Sequence, residues 1–245
     1  MATQRRFFIT KDNIYRDKFV IPDKQTAKYM RKVLRLSVGD KITLFDGQGK
    51  EFAAEIGSLR NDLVKGKIVG EAETSQNFQP KIQLILAQAL PRAGKLDEIV
   101  RMNTEVGVAQ FILFESDYGV VKSKDFPEAK LERLRRVIKE ATRQSEGLTM
   151  SEISLAGNFT VAIETPADMK ILLHSRVEAE ARNLWDLKSN LPKDSKVLLL
   201  VGSEGGFSAK ELELAQQNQV KIAHLNLPIL RTETAGVVAS GILLS

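Results

Sequence analysis

A short stretch near the carboxyl end combines three glycines with a serine and a carboxylate, which could line a ligand site. Gly202-Ser203-Glu204-Gly205-Gly206 directly follows the apolar run from Val197 to Val201. Glycines let a backbone turn sharply and approach a ligand without a Cβ atom in the way. The stretch lacks the lysine of a phosphate-binding P-loop and the spacing of a dinucleotide fingerprint. Because Glu204 would repel a phosphate, the pattern favours a neutral or cationic ligand, or else a turn that needs glycine alone.

A second stretch places charged residues between an apolar strand and an apolar helix. "LPILRTETAG" begins at Leu227 and is followed by small apolar residues up to the carboxyl end. Thr232 is predicted to cap the last helix, and Glu233 falls in its first turn, where negative charge suits the positive end of the helix dipole. This explanation gives Arg231 no structural role. Arg231 is therefore the first candidate for a functional side chain.

Basic residues are concentrated in the first part of the chain. The net charge is +5 and the pI is about 9.3. Residues 1–36 carry ten Lys or Arg against three Asp, and a second basic stretch at 130–144 fits a helix with an apolar stripe. Such surfaces attract polyphosphate backbones, but they are also typical of ordinary solvated faces. These patterns alone leave RNA binding open.

The composition excludes several classes of protein. The chain has no cysteine and only two histidines, His174 and His224, which leave little to build a zinc centre from. Its first residues lack the apolar region of a signal peptide, and no apolar run reaches the roughly 18 to 20 residues of a membrane span. We therefore expect a cytoplasmic protein without disulfides or a metal.

The elements that must position these residues change in character near residue 78. Before it, short β-rich segments and the hairpin turn Asp46-Gly47-Gln48-Gly49 predict a small β-barrel over residues 1–74. After it, apolar strands alternate with helical patterns over residues 79–245, which predicts an α/β domain with a parallel sheet covered on both faces. In such sheets, ligands bind at the carboxyl ends of the strands, where both stretches lie.

Several motifs in this order carry a family resemblance. "VGSEGGFSAKELELA" followed by "LNLPILRTETAGVVASGILL" resembles the two signature stretches of the RsmE family, in the SPOUT superfamily. The segments "VLRLSVGDKITLFDGQGKEFAAEI", "KLDEIVRMNTEVGV" and "KEATRQS" agree with it, so the likeness covers nearly the whole chain. The resemblance implies a PUA-like β-barrel, a SPOUT domain with a deep trefoil knot and a homodimer. It also implies methylation of uridine N3 in 16S ribosomal RNA with S-adenosylmethionine as cofactor.

The resemblance also implies roles for individual residues. Arg231 would stabilise the anion that develops on uracil, and Glu204 or Glu233 would receive or relay the N3 proton. The cofactor pocket would be lined by Leu173, Gly202, Ser203, Glu204, Gly205, Leu225, Asn226, Ile229 and Leu230. Ribosomal RNA would contact Arg5, Arg6, Arg31, Lys32, Arg35, Arg92, Lys95 and Arg143.

Some positions depart from the family pattern. Ser203 stands where proline is usual, Pro228 where arginine is usual and Asn226 where glycine is usual, although asparagine tolerates the same left-handed backbone. Tyr118 and Gly147 stand where arginines are expected. The missing arginines keep two alternatives open. One is methylation of another RNA position, and the other is a noncatalytic factor for ribosome assembly.

Overall fold

The computed structural model describes residues 5–72, 80–92, 94–175 and 181–245. The chain divides into two compact units. The first comprises Met1–Phe78 with Thr142–Met150, and the second comprises Gln79–Ala141 with Ser151–Ser245. None of the helices in the described ranges is both long and apolar enough to cross a membrane.

The first unit is built on a six-stranded sheet. Its strands are β1 (Arg6–Phe8), β2 (Ile14–Tyr15), β3 (Lys18–Ile21), β4 (Lys41–Phe45), β5 (Glu51–Leu59) and β6 (Val64–Glu71), and its helix is α1 (Lys24–Lys32). The strand order is β1-β4-β5-β6-β3-β2. Only the β1–β4 pairing is parallel among these described strands. The predicted β-rich fold of the amino-terminal part is confirmed, whereas the domain bounds of residues 1–74 stay a prediction.

Local chemistry explains how this unit turns its chain. The Asp46 carboxylate accepts hydrogen bonds from the N–H groups of Gln48 and Lys50, and Gly47 adopts a φ of +70°. These features close the predicted hairpin between β4 and β5. Helix α1, which we did not predict, begins after Asp23, whose carboxylate caps its first turn.

The second unit is built on a seven-stranded sheet that is parallel throughout. Its strands are β7 (Gln83–Ala89), β8 (Gln110–Glu115), β9 (Glu152–Asn158), β10 (Met169–Leu173), β11 (Arg182–Asn183), β12 (Lys196–Val201) and β13 (Lys221–His224), in the order β11-β13-β10-β12-β7-β8-β9. Its helices are α2 (Leu96–Glu105), α3 (Glu128–Gln144), α4 (Phe159–Ile163), α5 (Leu184–Ser189), α6 (Ala209–Gln217) and α7 (Thr232–Leu244), although the end of α3 from Thr142 onward belongs to the first unit. The predicted α/β class is confirmed.

Burial on both faces explains the continuous apolar strands. In β12, the residues from Val197 to Val201 are almost completely buried. Helix α7 packs on α2, α5 and the central strands, and its small residues Gly236, Ala239 and Ser240 are buried there. Adjacent strands β12, β10 and β13 therefore bring their carboxyl ends to one edge of the sheet.

Some elements differ from the sequence prediction. Strand β9 and helix α4 were missed, because neither has a strong hydrophobic period. The sequence also predicts a helix around Glu178 to Leu187. In the structure α5 begins at Leu184, and residues 176–180 lie outside the described residues. The trefoil knot stays a prediction.

Candidate active site

The second unit contains a cavity of about 490 Å³ at the carboxyl ends of β10, β12 and β13. Ligand pockets of drug-sized molecules typically have about 300 to 1,000 Å³. Its wall is formed by Lys95, Leu173, His174, Ser175, Val201, Gly202, Ser203, Glu204, Gly206, Phe207, His224, Leu225, Asn226, Leu227, Pro228, Ile229, Leu230, Arg231, Thr232 and Ala235. The two sequence stretches thus meet in one cavity.

The glycine loop, residues 202–206, is folded tightly on itself. The N–H of Gly206 donates to the carbonyl of Ser203 at 2.9 Å. A Cβ added to Gly202 would lie 3.1 Å from the backbone of Gly206, so the turn would have to shift by a few tenths of an ångström. A Cβ on Gly205 would lie 2.7 Å from the Cβ of Tyr118, which is closer than real Cβ contacts. Close approach of other atoms therefore favours glycine at 202 and requires it at 205 unless the loop moves.

The start of helix α7 is tied to the glycine loop by a buried hydroxyl. Thr232 Oγ1 donates to the carbonyl of Gly202 at 2.6 Å. The same hydroxyl accepts a hydrogen bond from Gln88 Nε2 at 3.0 Å. The predicted cap is wrong in its position, because Arg231 is the N-cap residue and Thr232 is already helical. The threonine joins the two stretches instead of capping the helix.

Gln88 is a site residue that sequence reasoning missed. It lies at the end of β7, is completely buried, and also donates to the carbonyl of Ala89. Its signal in the sequence is one polar residue within the apolar run "LILAQAL". A buried amide must find hydrogen-bond partners, so a lone polar residue in a buried strand marks a position where loops converge.

Helix α6 follows the glycine loop, and the sequence predicts its start as a capping box, with Ser208 as the N-cap and Glu211 three residues later. Ser208 Oγ accepts from the N–H of Glu211, and the Glu211 carboxylate accepts from the N–H of Ser208, which confirms the capping box. The same carboxylate accepts from the N–H of Asp117. Burial raises the pKa of Glu211, and these N–H groups offset it only in part. The helix start is thereby fastened to the turn after β8.

The second loop of the cavity, residues 225–230, exposes its side chains and its backbone. Asn226 has a φ of +49°, in the left-handed region that asparagine tolerates, and its N–H donates to His224 Nδ1 at 3.2 Å. Leu227 and Ile229 are exposed at the rim. Residues 227–230 make no backbone–backbone hydrogen bond with other described residues. Their C=O groups, and the N–H groups of all of them except Pro228, are therefore available to a ligand.

Three charged side chains meet at the mouth of the cavity. Lys95 Nζ lies 3.2 Å from Glu204 Oε1 and 3.1 Å from Glu233 Oε2. The backbone N–H of Arg92 also donates to the Glu204 carboxylate, at 3.2 Å. Hydrogen bonds to Glu233 and Glu204 raise the pKa of Lys95. The lysine is therefore a cation at neutral pH.

Both carboxylates of this group are held in their ionised form. Burial raises the pKa of Glu204, but hydrogen bonds from backbone N–H groups and from Lys95 outweigh it and lower the pKa overall. Burial likewise raises the pKa of Glu233, and its backbone hydrogen bond, Lys95 and the nearby charge of Arg231 bring it below the ordinary value. The group therefore carries one positive and two negative charges.

The structure places the predicted site residues as follows. All predicted cofactor residues except Gly205 line the cavity, namely Leu173, Gly202, Ser203, Glu204, Leu225, Asn226, Ile229 and Leu230. Arg231 also lines it, whereas Glu233 is outside the wall and reaches Lys95. Lys95, which we predicted as an RNA contact, lies in the cavity wall, and Gly205 packs on Tyr118 behind it.

Arg6 is buried in the first unit and has no free charge to offer a phosphate. Its guanidinium pairs with Glu51 and donates to the carbonyls of Thr142 at 3.0 Å and Gly147 at 2.6 Å. It also lies 3.9 Å from the ring centroid of Phe45. This burial argues against the prediction that Arg6 contacts RNA, and we leave it out of the RNA surface.

The remaining basic candidates keep exposed or partly exposed positions. Arg5 pairs with Asp40 at 3.1 Å, and Arg31 donates to Asn61. Arg143 lies over the ring of Tyr29 at 5.4 Å. The other exposed candidates are Lys32, Arg35 and Arg92.

The cavity fits S-adenosylmethionine by its size and by its chemistry. It joins apolar side chains such as Leu173 and Leu225, which suit an adenine ring, to free backbone groups and a nearby carboxylate pair, which suit a cationic ligand. In the described part of the chain, no group of three or more metal-binding side chains is present.

Comparison with known proteins agrees with this geometry. The family of the RNA methyltransferase domain matches residues 78–244, and the family of the RNA methyltransferase PUA domain matches residues 21–69. Ribosomal RNA small subunit methyltransferase E of Rickettsia conorii is 31% identical over 237 residues, which cover 96% of this chain and 92% of that protein. The protein of the same name from Synechocystis is 31% identical over 86% of this chain and 68% of its own length.

Solved structures agree as well. A methyltransferase from Legionella pneumophila in complex with the bound cofactor SAM has a TM-score of 0.85 and 25% identity, over 99% of this chain and 97% of that one. Ribosomal RNA small subunit methyltransferase E from Neisseria gonorrhoeae, bound to S-adenosyl methionine, has the same fold, with a TM-score of 0.83 at 23% identity over 97% and 95% of the two chains. The present chain therefore belongs to the ribosomal RNA small subunit methyltransferase E family of RNA methyltransferases.

Proposed function

We propose that this protein transfers a methyl group from S-adenosylmethionine to N3 of a uridine in 16S ribosomal RNA. The observation that carries the proposal is the single cavity in which the glycine loop and the 225–230 loop meet beside Arg231. Relatives that are 31% identical to this chain over the aligned residues carry the name ribosomal RNA small subunit methyltransferase E, which fits this proposal. A substrate in the ribosome also favours a cytoplasmic location.

The cavity holds its ligand mainly through backbone and apolar groups. Thr232 Oγ1 donates to the carbonyl of Gly202 and so holds the turn. Residues 227–230 present unused C=O groups, and all of them except Pro228 also present an unused N–H group. When bound, S-adenosylmethionine supplies a methyl group on a positively charged sulfur, which is open to attack from one direction. The two loops contribute by orienting that group, since methyl transfer needs alignment more than covalent help from the protein.

Arg231 is the residue that we assign to the reacting base. Uracil N3 carries a proton, and its loss leaves negative charge on the neighbouring ring oxygens. A guanidinium fixed at the N-cap of α7, exposed and in the wall of the cavity, can stabilise that charge. Its own helix does not use the side chain, because the structure shows no side-chain cap at this position.

Glu204 and Glu233 fit an electrostatic role better than a role as base. A general base works best when its pKa lies near the operating pH. Both carboxylates have a lowered pKa and are already bonded to Lys95. We therefore assign them to fixing charge at the cavity, and we propose that the N3 proton passes to solvent water at the exposed rim of the cavity.

The exposed basic residues of the first unit are proposed to hold RNA phosphates. Arg5, Arg31, Lys32 and Arg35 belong to the basic amino-terminal part, and all four are exposed. Phosphate contacts of this kind position an RNA without reading its sequence. The homodimer that the family resemblance implies stays a prediction, which sedimentation analysis of the purified protein would test.

The proposed function is tested by identifying the product. Purified protein is incubated with S-adenosylmethionine and small ribosomal subunits that lack the modification, and the digested RNA is examined by mass spectrometry. We expect 3-methyluridine. A different methylated nucleoside would replace the proposed target by another RNA position. No methylated nucleoside, from a folded protein that binds the cofactor, would contradict the proposal and favour an assembly factor.

A further inference from the structure

Three separate segments of the second unit meet at the side chain of Lys95. The lysine precedes α2, Glu204 belongs to the glycine loop, and Glu233 lies in the first turn of α7. One ammonium group thus reaches carboxylates from both of the elements that wall the cavity. The lysine side chain is 31% exposed, and the carboxylate side chains are 27% and 14% exposed. The contact is therefore shielded more than an ordinary surface ion pair.

We propose that Lys95 is a positioning residue that clamps the glycine loop to the start of α7 and so keeps the cavity in the shape that binds S-adenosylmethionine. This inference rests on the proposed function of that cavity as a cofactor site. It gives Lys95 a different role from the RNA contact that the sequence predicted.

The two loops are already joined at one point, and Lys95 adds a second. Thr232 Oγ1 and the Gly202 carbonyl form a buried hydrogen bond at 2.6 Å. Lys95 makes its contacts where the side chains are partly exposed, at the outer part of the same pair of elements. A single contact would allow the glycine loop to rotate relative to the start of α7, whereas two separate contacts restrict that rotation. Loss of the lysine should therefore loosen the mouth of the cavity and leave its floor intact.

Removal of the ammonium group would also turn an attraction into a repulsion. Glu204 and Glu233 approach the same nitrogen, so they lie within a few ångströms of each other. Two ionised carboxylates at such a separation repel unless a cation lies between them. Among the described residues, Lys95 is the only side chain that forms an ion pair with both.

The test replaces Lys95 by methionine, which keeps the length of the side chain and removes the charge. The matched control is Arg101→Met, because Arg101 forms an exposed ion pair with Glu105 at 2.8 Å on α2 and does not line the cavity. The third variant is Lys95→Arg, which keeps a cation. Each protein is examined without RNA, by calorimetry of S-adenosylmethionine binding and by amide hydrogen exchange of the two loops without cofactor.

We expect Lys95→Met to weaken S-adenosylmethionine binding by about tenfold, since the ion pairs lie between the exposed and the buried class. We also expect faster hydrogen exchange in residues 202–206 and 232–235 of this variant. Lys95→Arg and Arg101→Met should stay close to the original protein in both measurements. A thermal unfolding midpoint that is nearly equal in all variants would separate positioning from general stability.

Two results would overturn the proposal. One is a Lys95→Met protein with unchanged affinity and unchanged exchange in the two loops. The other is a Lys95→Arg protein as weak as Lys95→Met, because charge would then not be the cause. Neither measurement uses RNA. A failure to methylate uridine would therefore contradict the proposed reaction but would not affect the proposed role of Lys95. If the original protein does not bind S-adenosylmethionine, both the proposed function and the proposed role of Lys95 are contradicted.

Discussion

The second unit and the first unit use their conspicuous arginines in opposite ways. Arg231 lies exposed in the wall of the cavity, whereas Arg6 is only 4% exposed and is surrounded by bonding partners. Both were predicted from the sequence to act on RNA, Arg231 at the reacting base and Arg6 as an RNA contact. The difference is that Arg231 belongs to a motif that lies beside the glycine loop at one edge of the sheet. Arg6 was selected only because the amino-terminal part contains many basic residues.

This contrast shows which kinds of sequence pattern locate functional residues. The carboxyl end of a parallel strand lies at a known edge of the sheet, so a motif after such a strand has a predictable place. A count of positive charges gives no direction for any one side chain. The Arg6 side chain is buried because it pairs with the Glu51 carboxylate and donates hydrogen bonds to two backbone carbonyls. A basic stretch therefore predicts a charged unit but does not predict its contact residues.

The largest effect is expected from a substitution that removes the cation of a buried ion pair. Arg6→Met would leave the Glu51 carboxylate, whose side chain is 7% exposed, without its cation. We expect the free energy of unfolding of the first unit to fall by about 3 to 5 kcal/mol. Arg5→Met removes the 50% exposed partner of Asp40 and should cost at most about 1 kcal/mol. Equal denaturation midpoints for the two variants would contradict the structural role of Arg6.

A smaller effect is expected at the back of the glycine loop. In Gly205→Ala, the new Cβ would lie 2.7 Å from the Cβ of Tyr118, so the loop must shift. We expect this overpacking to weaken S-adenosylmethionine binding by about 1 to 3 kcal/mol, as measured by calorimetry. Tyr118→Gly should restore binding in the double variant, whereas Tyr118→Ala should not, because alanine retains the Cβ.

The matched control for this prediction is Gly241→Ala in helix α7, where a new Cβ meets no atom within 4 Å. It should leave binding unchanged and stabilise the helix by up to about 1 kcal/mol. Restoration of binding by Tyr118→Ala would contradict the proposed steric cause.

Cofactor affinity should be insensitive to pH until the carboxylates titrate. The lowered pKa of Glu204 and of Glu233 means that their charges persist above the ordinary carboxyl value of about 4.3 and are lost as the pH falls through the folded-state pKa. Among the described residues of the cavity wall, the other charged or titratable side chains are Lys95, Arg231, His174 and His224. Calorimetry should therefore show nearly constant affinity down to about pH 5. A loss of affinity well above this pH would contradict the assignment of the pH dependence to these two carboxylates.

The smallest effects are expected on the exposed basic surface. Lys32→Gln should weaken RNA binding only slightly and should reduce the slope of log affinity against log salt by about one, if Lys32 neutralises one phosphate. Lys210→Gln, an exposed position on α6 of the second unit, serves as the control. Filter binding at several salt concentrations measures both slopes. Identical slopes for the original protein and Lys32→Gln would remove Lys32 from the RNA surface.

Local patterns allowed much of the fold to be predicted. The capping box at Ser208, the hairpin at Asp46 and the parallel strands each depend on residues close together in the chain or on a hydrophobic run. The loops of the cavity were predicted because both follow buried strands. These features depend on rules of sequence and topology that act before any detailed packing.

The contacts that the sequence did not predict join distant parts of the chain. Gln88 reaches Thr232, Lys95 reaches Glu233, and Tyr118 packs on Gly205. Each depends on how three or more loops meet at the edge of the sheet, and no local pattern records that geometry. The sequence therefore predicted most residues that line the cavity, but it did not predict the side-chain contacts that hold its loops together.

The measurement that tests the central claim most directly separates cofactor binding from methyl transfer in Arg231→Ala. S-adenosylmethionine affinity is measured by calorimetry, and 3-methyluridine formation on small ribosomal subunits is measured by mass spectrometry. We expect nearly unchanged affinity together with a methylation rate that falls by about 10² to 10³. An Arg231→Ala protein with full turnover would contradict the assignment of this arginine to the reacting base.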